Sequence, residues 1–437
     1  MCYKFSVMKE DFLQYIWANS LLKNRELTTY TGKKIEILQP GSYNRDAGPD
    51  FFNARLRIGD VILAGNIEIH LKSSDWYRHG HHKDKAYNNV ILSVVREDDV
   101  RVYTQGKAEV ECIELEYADY LYNEYLYMQD TMQQPACYRR LELLEDPWFY
   151  LTLQSLAIER LERKVNDIRK ILFQTKNDWE ECFYRLLCRY WSANVNSDSF
   201  YQLALYLPYK ILLRYIDRPY LVEALLLGCS GLLETAPDEP YTSNLKKEFQ
   251  YFRKKHKLWR MQPSQWKFMR IRPEGFPTIR LALLAALLCR FGRFGRLLSA
   301  VLSASSLKEV LPLFDVQPSV YWETHYIFGK ESPYKVKKLG EESRKIILIN
   351  AIIPFLFIYG KERGEEKWTE KALDWLEETG PENNYIVRAW EKQGFVFDSA
   401  MQTQALIQLR KVYCDPHRCL QCRIGKQIFK NLCLGSQ

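Results

Sequence analysis

"GPDFFNARLRIGDVILAGNIEIHLKSSDW", residues 48–76, is the stretch whose reading decides the fold. Residues 51–58 and 61–71 have the pattern of two β-strands, joined at Gly59-Asp60, a good tight-turn dipeptide. Successive side chains of a strand point to opposite faces. Glu68, His70 and Lys72 therefore share one face of the second strand, while Ile67, Ile69 and Leu71 share the other. Asp50 follows a Gly-Pro bend and has the parity of Ala54, Leu56 and Ile58, which would send it into the core. It meets Glu68 only if the strand bends or bulges at Phe51-Phe52. Asn44, Asp46, Asp50, Glu68, His70, Asp75, His79, His81 and His82 crowd into the same region, which holds four of the chain's 7 histidines. Two carboxylates on adjacent strands beside a base can hold Mg²⁺ or Mn²⁺. An antiparallel sheet with one wet face shows the same alternation, and on these residues alone both readings stand.

Outward from this hairpin, residues 8–22 carry apolar side chains at helical spacing, and "KKIEILQPGSYN" is a short strand stopped by Pro-Gly. Residues 79–89 are expected to form a short helix. "VILSVVRED" (90–98) has the continuous apolar run of a strand buried on both faces, and 100–117 a further hairpin turning at Gly106. From about residue 120 the pattern is helical, with segments at 148–175, 178–192, 199–214, 219–234, 242–257, 279–303, 342–358, 365–378 and 400–412. The expected class is α+β, with an α/β domain over 1–120 and an all-α domain over 121–437 that ends in a Cys-rich segment.

The 437 residues are 47% hydrophobic and 27% charged, as in an ordinary globular protein with room for a large core. A net charge of +8 is compatible with a polyanion partner without demanding one. The 11 cysteines lack secreted-domain spacing and read as reduced thiols. The first residues lack the apolar stretch of a signal peptide, and the apolar runs 281–289 and 346–360 are shorter than a span of ~20 residues. A cytoplasmic protein with no membrane partner is expected. No phosphate-cradling Gly loop, dinucleotide fingerprint or nucleophile elbow is present.

The order helix, three strands, helix, strand, with Pro49-Asp50 opening the second strand and Glu68-Ile69-His70 on the third, resembles the PD-(D/E)XK restriction-endonuclease-like superfamily. That likeness implies an αβββαβ core, Asp50 and Glu68 as ligands of Mg²⁺ or Mn²⁺, and cleavage of DNA or RNA phosphodiesters. His70 stands where the superfamily has Lys. An imidazole can act as base without a permanent charge, and Lys72 on the same face would supply the electrostatic part. Glu10 corresponds to a helical acid that sometimes adds a ligand there. Over essentially the whole chain, "GSYNRDAGPDFFNA", "GNIEIHLKSSDWYRHGHH", "KNDWEECFYRLL", "RIRPEGFPTIRLA" and "YCDPHRCLQCRIG" look like a bacterial domain-of-unknown-function family.

"YCDPHRCLQCRIG" sets Cys414, Cys419 and Cys422 at Cys-x4-Cys-x2-Cys spacing, with Cys433 beyond. Thiolates so spaced can bind zinc, with His417 or Cys433 as fourth ligand, or an iron–sulfur cluster, as some nucleases of the superfamily do near their C-termini. Unligated structural thiols explain the pattern as well. "RIRPEGFPTIR" places Arg270, Arg272 and Arg280 around a Pro-containing loop, the best basic patch for nucleic acid, with His79 and His81 as further candidates for that contact. The leading expectation is a metal-dependent nuclease-like protein. A non-catalytic nucleic-acid-binding or scaffold protein with a degenerate nuclease fold is the alternative, and a metal-dependent hydrolase of another substrate a third.

Overall fold

The computed structural model describes residues 9–23, 26–44, 47–130, 137–144, 146–192, 195–292 and 294–434, with the side chains of 128–130, 139, 143, 146–147, 294–297 and 433–434 left aside. It is a mixed α+β structure: a sheet near the N-terminus is followed by a large helical region.

Helix α1 spans Glu10–Ala18 and buries Phe12, Leu13, Ile16 and Trp17. The sheet follows: β1 Leu27–Thr28, β2 Lys34–Gln39, β3 Ser42–Tyr43, β4 Phe51–Ile58 and β5 Val61–Lys72. A connection then carries the one-turn helix α2, Asp75–Arg78, before β6 Val90–Glu97 and β7 Glu111–Glu114. The strand order is β1-β2-β4-β5-β6-β7, with β3 paired to one end of β4. Pairings up to β4–β5 are antiparallel, whereas β5–β6 and β6–β7 are parallel. The β4–β5 hairpin turns at Gly59, whose φ of 58° is the left-handed conformation that glycine adopts freely.

Register is broken where the sequence required it. Phe51 pairs with Ile67 but Ala54 with Gly65, so β4 carries a bulge between them. Asn53, at φ 57°, takes up the left-handed residue that the kink needs, a conformation Asn tolerates better than most side chains. Gly65 serves a second irregularity. A Cβ there would stand 2.6 Å from the Asn89 carbonyl oxygen, and the absence of one lets Asn66 N–H donate to that oxygen at 2.8 Å as β5 meets β6. From Gly65 to His70, β5 is buried on both faces.

Two expectations for this region are corrected. Residues 79–89 form two single 3-10 turns, His81–Lys83 and Lys85–Tyr87, rather than one helix. The chain turns back at 104–108 as expected, but β7 continues the sheet parallel to β6.

Helix α3 spans Asp119–Asp130. The chain separates into two compact units otherwise than at residue 120. One contains residues 1–152 together with 388–394 and 409–437, and the other contains 153–387 and 395–408. The C-terminal cysteine segment thus belongs to the unit with the sheet. In that unit the 3-10 segment Tyr138–Leu143 packs against the helix Arg423–Leu434, and Tyr15 of α1 meets Phe429 with ring centroids 5.4 Å apart.

The second unit is a helical assembly whose segments include Trp179–Trp191, Pro219–Cys229, Pro240–His256, Pro277–Phe291 and Glu366–Glu378. The β pattern does not end at 120, because His325–Ile327 and Lys330–Glu331 form a small hairpin here. Residues 341–363 form one helix interrupted by a π turn at 348–352. This helix is long and apolar enough to cross a membrane, contrary to the expectation from 346–360 alone. Two-thirds of its apolar window (67%) is buried inside the protein, as in a core helix.

Candidate metal centre

The bulge after Phe51 turns Asp50 toward β5. Its backbone N–H donates to Glu68 Oε2 at 3.0 Å, and its own Oδ2 accepts the N–H of Ile69 at 3.0 Å. Gln14 of α1 donates from Nε2 to Asp50 Oδ1 at 2.9 Å. Asp50 and Glu68 are therefore locked together by reciprocal side-chain and main-chain bonds, as the sequence required of them.

His70 follows Glu68 on the same face and is 1% exposed. The connection after β5 folds back over it. Trp76 anchors this connection by packing with Tyr87, Val90, Val102 and Val110 and by donating from Nε1 to the Tyr103 carbonyl at 3.0 Å. Ser73 Oγ secures its start by accepting the N–H groups of Asp99 and Val100, each at 2.9 Å. His81, stacked on Tyr87 at 3.9 Å, and His79 are thereby brought to His70, with ring centroids 5.2 and 5.1 Å from it. One ring nitrogen from each of His70, His79 and His81 lies within 4.8 Å of the others, which makes this trio a group that could hold a metal ion.

Glu68 Oε1 stands 3.2 Å from His81 Nε2 and 3.6 Å from His70 Nε2. Neither ring nitrogen of His70 has a hydrogen-bond partner, although both are buried, and His81 Nε2 lacks one too. Unpaired buried nitrogens are costly, and an ion would satisfy them.

The electrostatics fit a cation-binding site. Burial, reinforced by the Glu68 charge, pushes the Asp50 carboxyl up to about 7. Burial pushes Glu68 up to about 8, with Glu10 adding in the same direction. Burial also raises Glu10, partly offset by the neighbouring His79, and Glu10 accepts a hydrogen bond from the Leu71 backbone. His70 is driven the other way, down to about 3, by burial and by the charges of His81, His79 and Arg78, and so stays a neutral imidazole with lone pairs to offer. The three imidazoles, from β5 and the β5–β6 connection, are the group that could hold a metal ion, with the carboxyl of Glu68 against them and that of Glu10 acting on His79.

Lys72 is placed elsewhere. It lies at the frayed end of β5, about half exposed, and pairs with Glu97 of β6 at 2.8 Å. His79 and His81, expected at a nucleic-acid surface, stand instead beside His70. No motif spacing marks the trio, since His79 and His81 come to His70 only because Trp76 pins the loop.

Arg270 and Arg272 are exposed, but Arg280 is buried in the helix Pro277–Phe291 and donates from Nη2 to Ser343 Oγ at 2.7 Å. The three arginines do not make one surface patch. Cys414 and Cys419 are partly buried, Cys422 is buried, and the side chain of Cys433 lies outside the described residues.

With the site assembled, comparison with known proteins adds the lineage. A family described as "Protein of unknown function (DUF2851)" matches residues 10–385. The chain belongs to this family. The matched span takes in every residue of the candidate site, from Glu10 through His81, and stops before the C-terminal cysteines. No curated protein and no solved structure matches the chain.

Proposed function

We propose that this DUF2851 protein is a metal-dependent phosphodiester hydrolase of nuclease type, with its ion held by His70, His79, His81 and Glu68. The observation that carries the proposal is the convergence of Asp50 and Glu68 with three imidazoles, two of which, His70 and His81, have buried nitrogens without hydrogen-bond partners. The order of elements supports it: a helix, antiparallel strands, a short helical connection and a parallel strand follow one another, with Asp50 and Glu68 on neighbouring antiparallel strands.

Imidazole donors favour a transition ion such as Mn²⁺, Fe²⁺ or Zn²⁺ over Mg²⁺, which prefers all-oxygen sets. When bound, such an ion supplies Lewis acidity for a water and neutralises charge developing on a phosphoryl oxygen. Asp50, held by Gln14 and the Ile69 N–H, fixes the position of Glu68 through its own backbone N–H. Glu68, with Oε2 occupied by the Asp50 N–H, turns Oε1 toward His81 and His70 as the carboxylate donor of the set. His79, the exposed member of the trio, marks the side from which substrate enters.

One observation favours a hydrolase of a different substrate. Among the described residues Lys72 is tied to Glu97, and Arg78, whose charge acts on His70, pairs with Asp75 at 2.9 Å, so neither of these two cations is left for a phosphate. The two readings separate in one assay. Protein loaded with Mn²⁺ or Zn²⁺ is offered single- and double-stranded DNA and RNA and bis(p-nitrophenyl) phosphate, alongside Glu68→Gln and His70→Ala. Cleavage lost in both variants is expected. Equal cleavage by Glu68→Gln, or none by the loaded wild type, would sink the phosphodiesterase reading.

A further inference from the structure

The buried arginine of "RIRPEGFPTIR" has an incomplete environment. Arg280 lies in the first turn of the helix Pro277–Phe291, is 8% exposed, and donates from Nη2 to Ser343 Oγ at 2.7 Å. Among the described residues its Nε and Nη1 have no hydrogen-bond partner, although both atoms are buried, and no carboxylate pairs with it. Its place is fixed from behind. Trp191 Nε1 donates to the Arg280 carbonyl at 2.6 Å, and Thr278 Oγ1, two residues earlier, donates to the Tyr326 carbonyl at 2.5 Å.

Two other cations of this region are satisfied, which sets Arg280 apart. Lys337, 1% exposed, donates from Nζ to the Glu323 carbonyl at 2.6 Å and lies over the Tyr326 ring, 4.4 Å from its centroid. Arg344 donates from Nε to the Leu339 carbonyl at 3.0 Å and stands 3.4 Å from Asp315 Oδ1. A cation that ties a fold together ends on carbonyls or carboxylates in this way. Arg280 ends on one hydroxyl, and a buried guanidinium with two unpaired nitrogens is costly unless an anion completes it. Burial pulls the group down to about 10, so it is still charged at neutral pH and gains from a counter-ion.

Ser343 belongs to the first turn of helix 341–363, whose N-cap is Gly340. Glycine has no side chain with which to cap the leading N–H groups of that turn. Gly340 is exposed, and a Cβ on it would meet nothing within 4 Å, so the space beside this N-terminus is open. Ser343, half-buried, stands between this open end and Arg280. Its Oγ accepts from Arg280, which leaves its own O–H to donate. The acids of the turn, Glu341 and Glu342, are both exposed, and Glu342 stands 3.5 Å from Lys345.

We propose that Arg280, Ser343 and the turn that begins at Gly340 form a phosphate site, which takes inorganic phosphate or the phosphoryl group of a small molecule. A guanidinium fork, a hydroxyl donor and the N–H groups of a helix N-terminus, supplied by two helices, suit a tetrahedral oxyanion. The guanidinium lies too deep to meet the backbone of a polymer. A bound phosphate would tie the helix Pro277–Phe291 to the start of helix 341–363 inside the helical unit. It owes nothing to the β5 site, which belongs to the other unit.

The test is calorimetric titration of the full chain with inorganic phosphate at constant ionic strength, after chelator treatment that keeps phosphate from meeting an ion at β5. Thermal unfolding in phosphate and in chloride accompanies it. Wild type is expected to bind one equivalent and to melt higher in phosphate. Arg280→Met keeps the length and removes the charge. It is expected to lose both responses while melting no lower than wild type in chloride, because an unpaired buried charge is gone. Ser343→Ala should bind phosphate about ten-fold more weakly. No binding by the wild type, an equal response in Arg280→Met, or a response to acetate as large as that to phosphate would overturn the proposal. If Arg280→Met fails to fold, Arg280→Lys decides, since it keeps the charge without the fork, and undiminished phosphate binding there removes the assignment. Competition by glycerol phosphate would support a phosphorylated small molecule as the occupant, and its exclusion would support free phosphate.

Discussion

Without an ion in the proposed β5 site Glu68 is a buried carboxyl, and the consequence for stability has a definite sign. Its carboxyl sits near 4.5 in the unfolded chain and is pushed up to about 8 by burial in the ion-free fold. Between those values the unfolded chain releases a proton that the folded chain keeps, so stability falls as pH rises, by about 1.4 kcal/mol per pH unit. His70 acts oppositely. Burial lowers it from 6.5 to about 3, so its contribution grows with pH up to 6.5 and is constant above.

The Glu68 and His70 slopes cancel between about 4.5 and 6.5, leaving that of Asp50, and from 6.5 to 8 the Glu68 slope is unopposed. Over that window the metal-free unit loses about 2 kcal/mol, and Asp50, raised to about 7, adds to the loss in its lower part. An ion at 100 times its dissociation constant contributes about 2.7 kcal/mol and removes the slope. The assay is urea unfolding of chelator-treated protein at pH 6.5 and pH 8, with and without Mn²⁺, followed by hydrogen exchange in β5 peptides. The metal-free protein should be less stable at pH 8, and Glu68→Gln should flatten the dependence. Equal stability at both pH values, or a wild-type slope in Glu68→Gln, would refute the reasoning.

Other consequences are simpler to measure. Lys72→Ala removes only an exposed pair with Glu97, worth under about 1 kcal/mol, and should leave metal affinity and hydrolysis within two-fold of wild type. Arg270→Ala and Arg272→Ala should each lower the salt dependence of nucleic-acid binding by about one unit if that surface meets phosphates, whereas Arg280→Met, being buried, should leave it unchanged in a binding titration. Gly228→Ala would set a methyl group 2.2 Å from the Phe249 ring inside the helical unit and should lower its melting stability by about 1–3 kcal/mol.

The hairpin at 51–72 was legible because alternation and a Gly-Asp turn are local signals, and even its bulge followed from the parity of Asp50. The candidate site beside it was legible only in part. Lys72 shares the parity of His70, but parity does not say that β5 ends there and lets the side chain swing to Glu97. His79 sits at the C-terminal end of α2 and His81 in a single 3-10 turn, on a connection whose path is set by Trp76 packing against residues up to Val110, a tertiary contact with no periodic trace. The hairpin at 325–331 and the π turn at 348–352 are short elements surrounded by helix, where apolar runs do not distinguish one backbone from another.

The central claim is that His70, His79, His81 and Glu68 hold one divalent ion, and titration with Co²⁺ tests it most directly. The account predicts a single equivalent with the visible spectrum of nitrogen and oxygen ligation, weakened at least ten-fold in His70→Ala and His81→Ala while Lys72→Ala binds as wild type. An unchanged titration in His70→Ala, or no bound ion in the wild type, would contradict it.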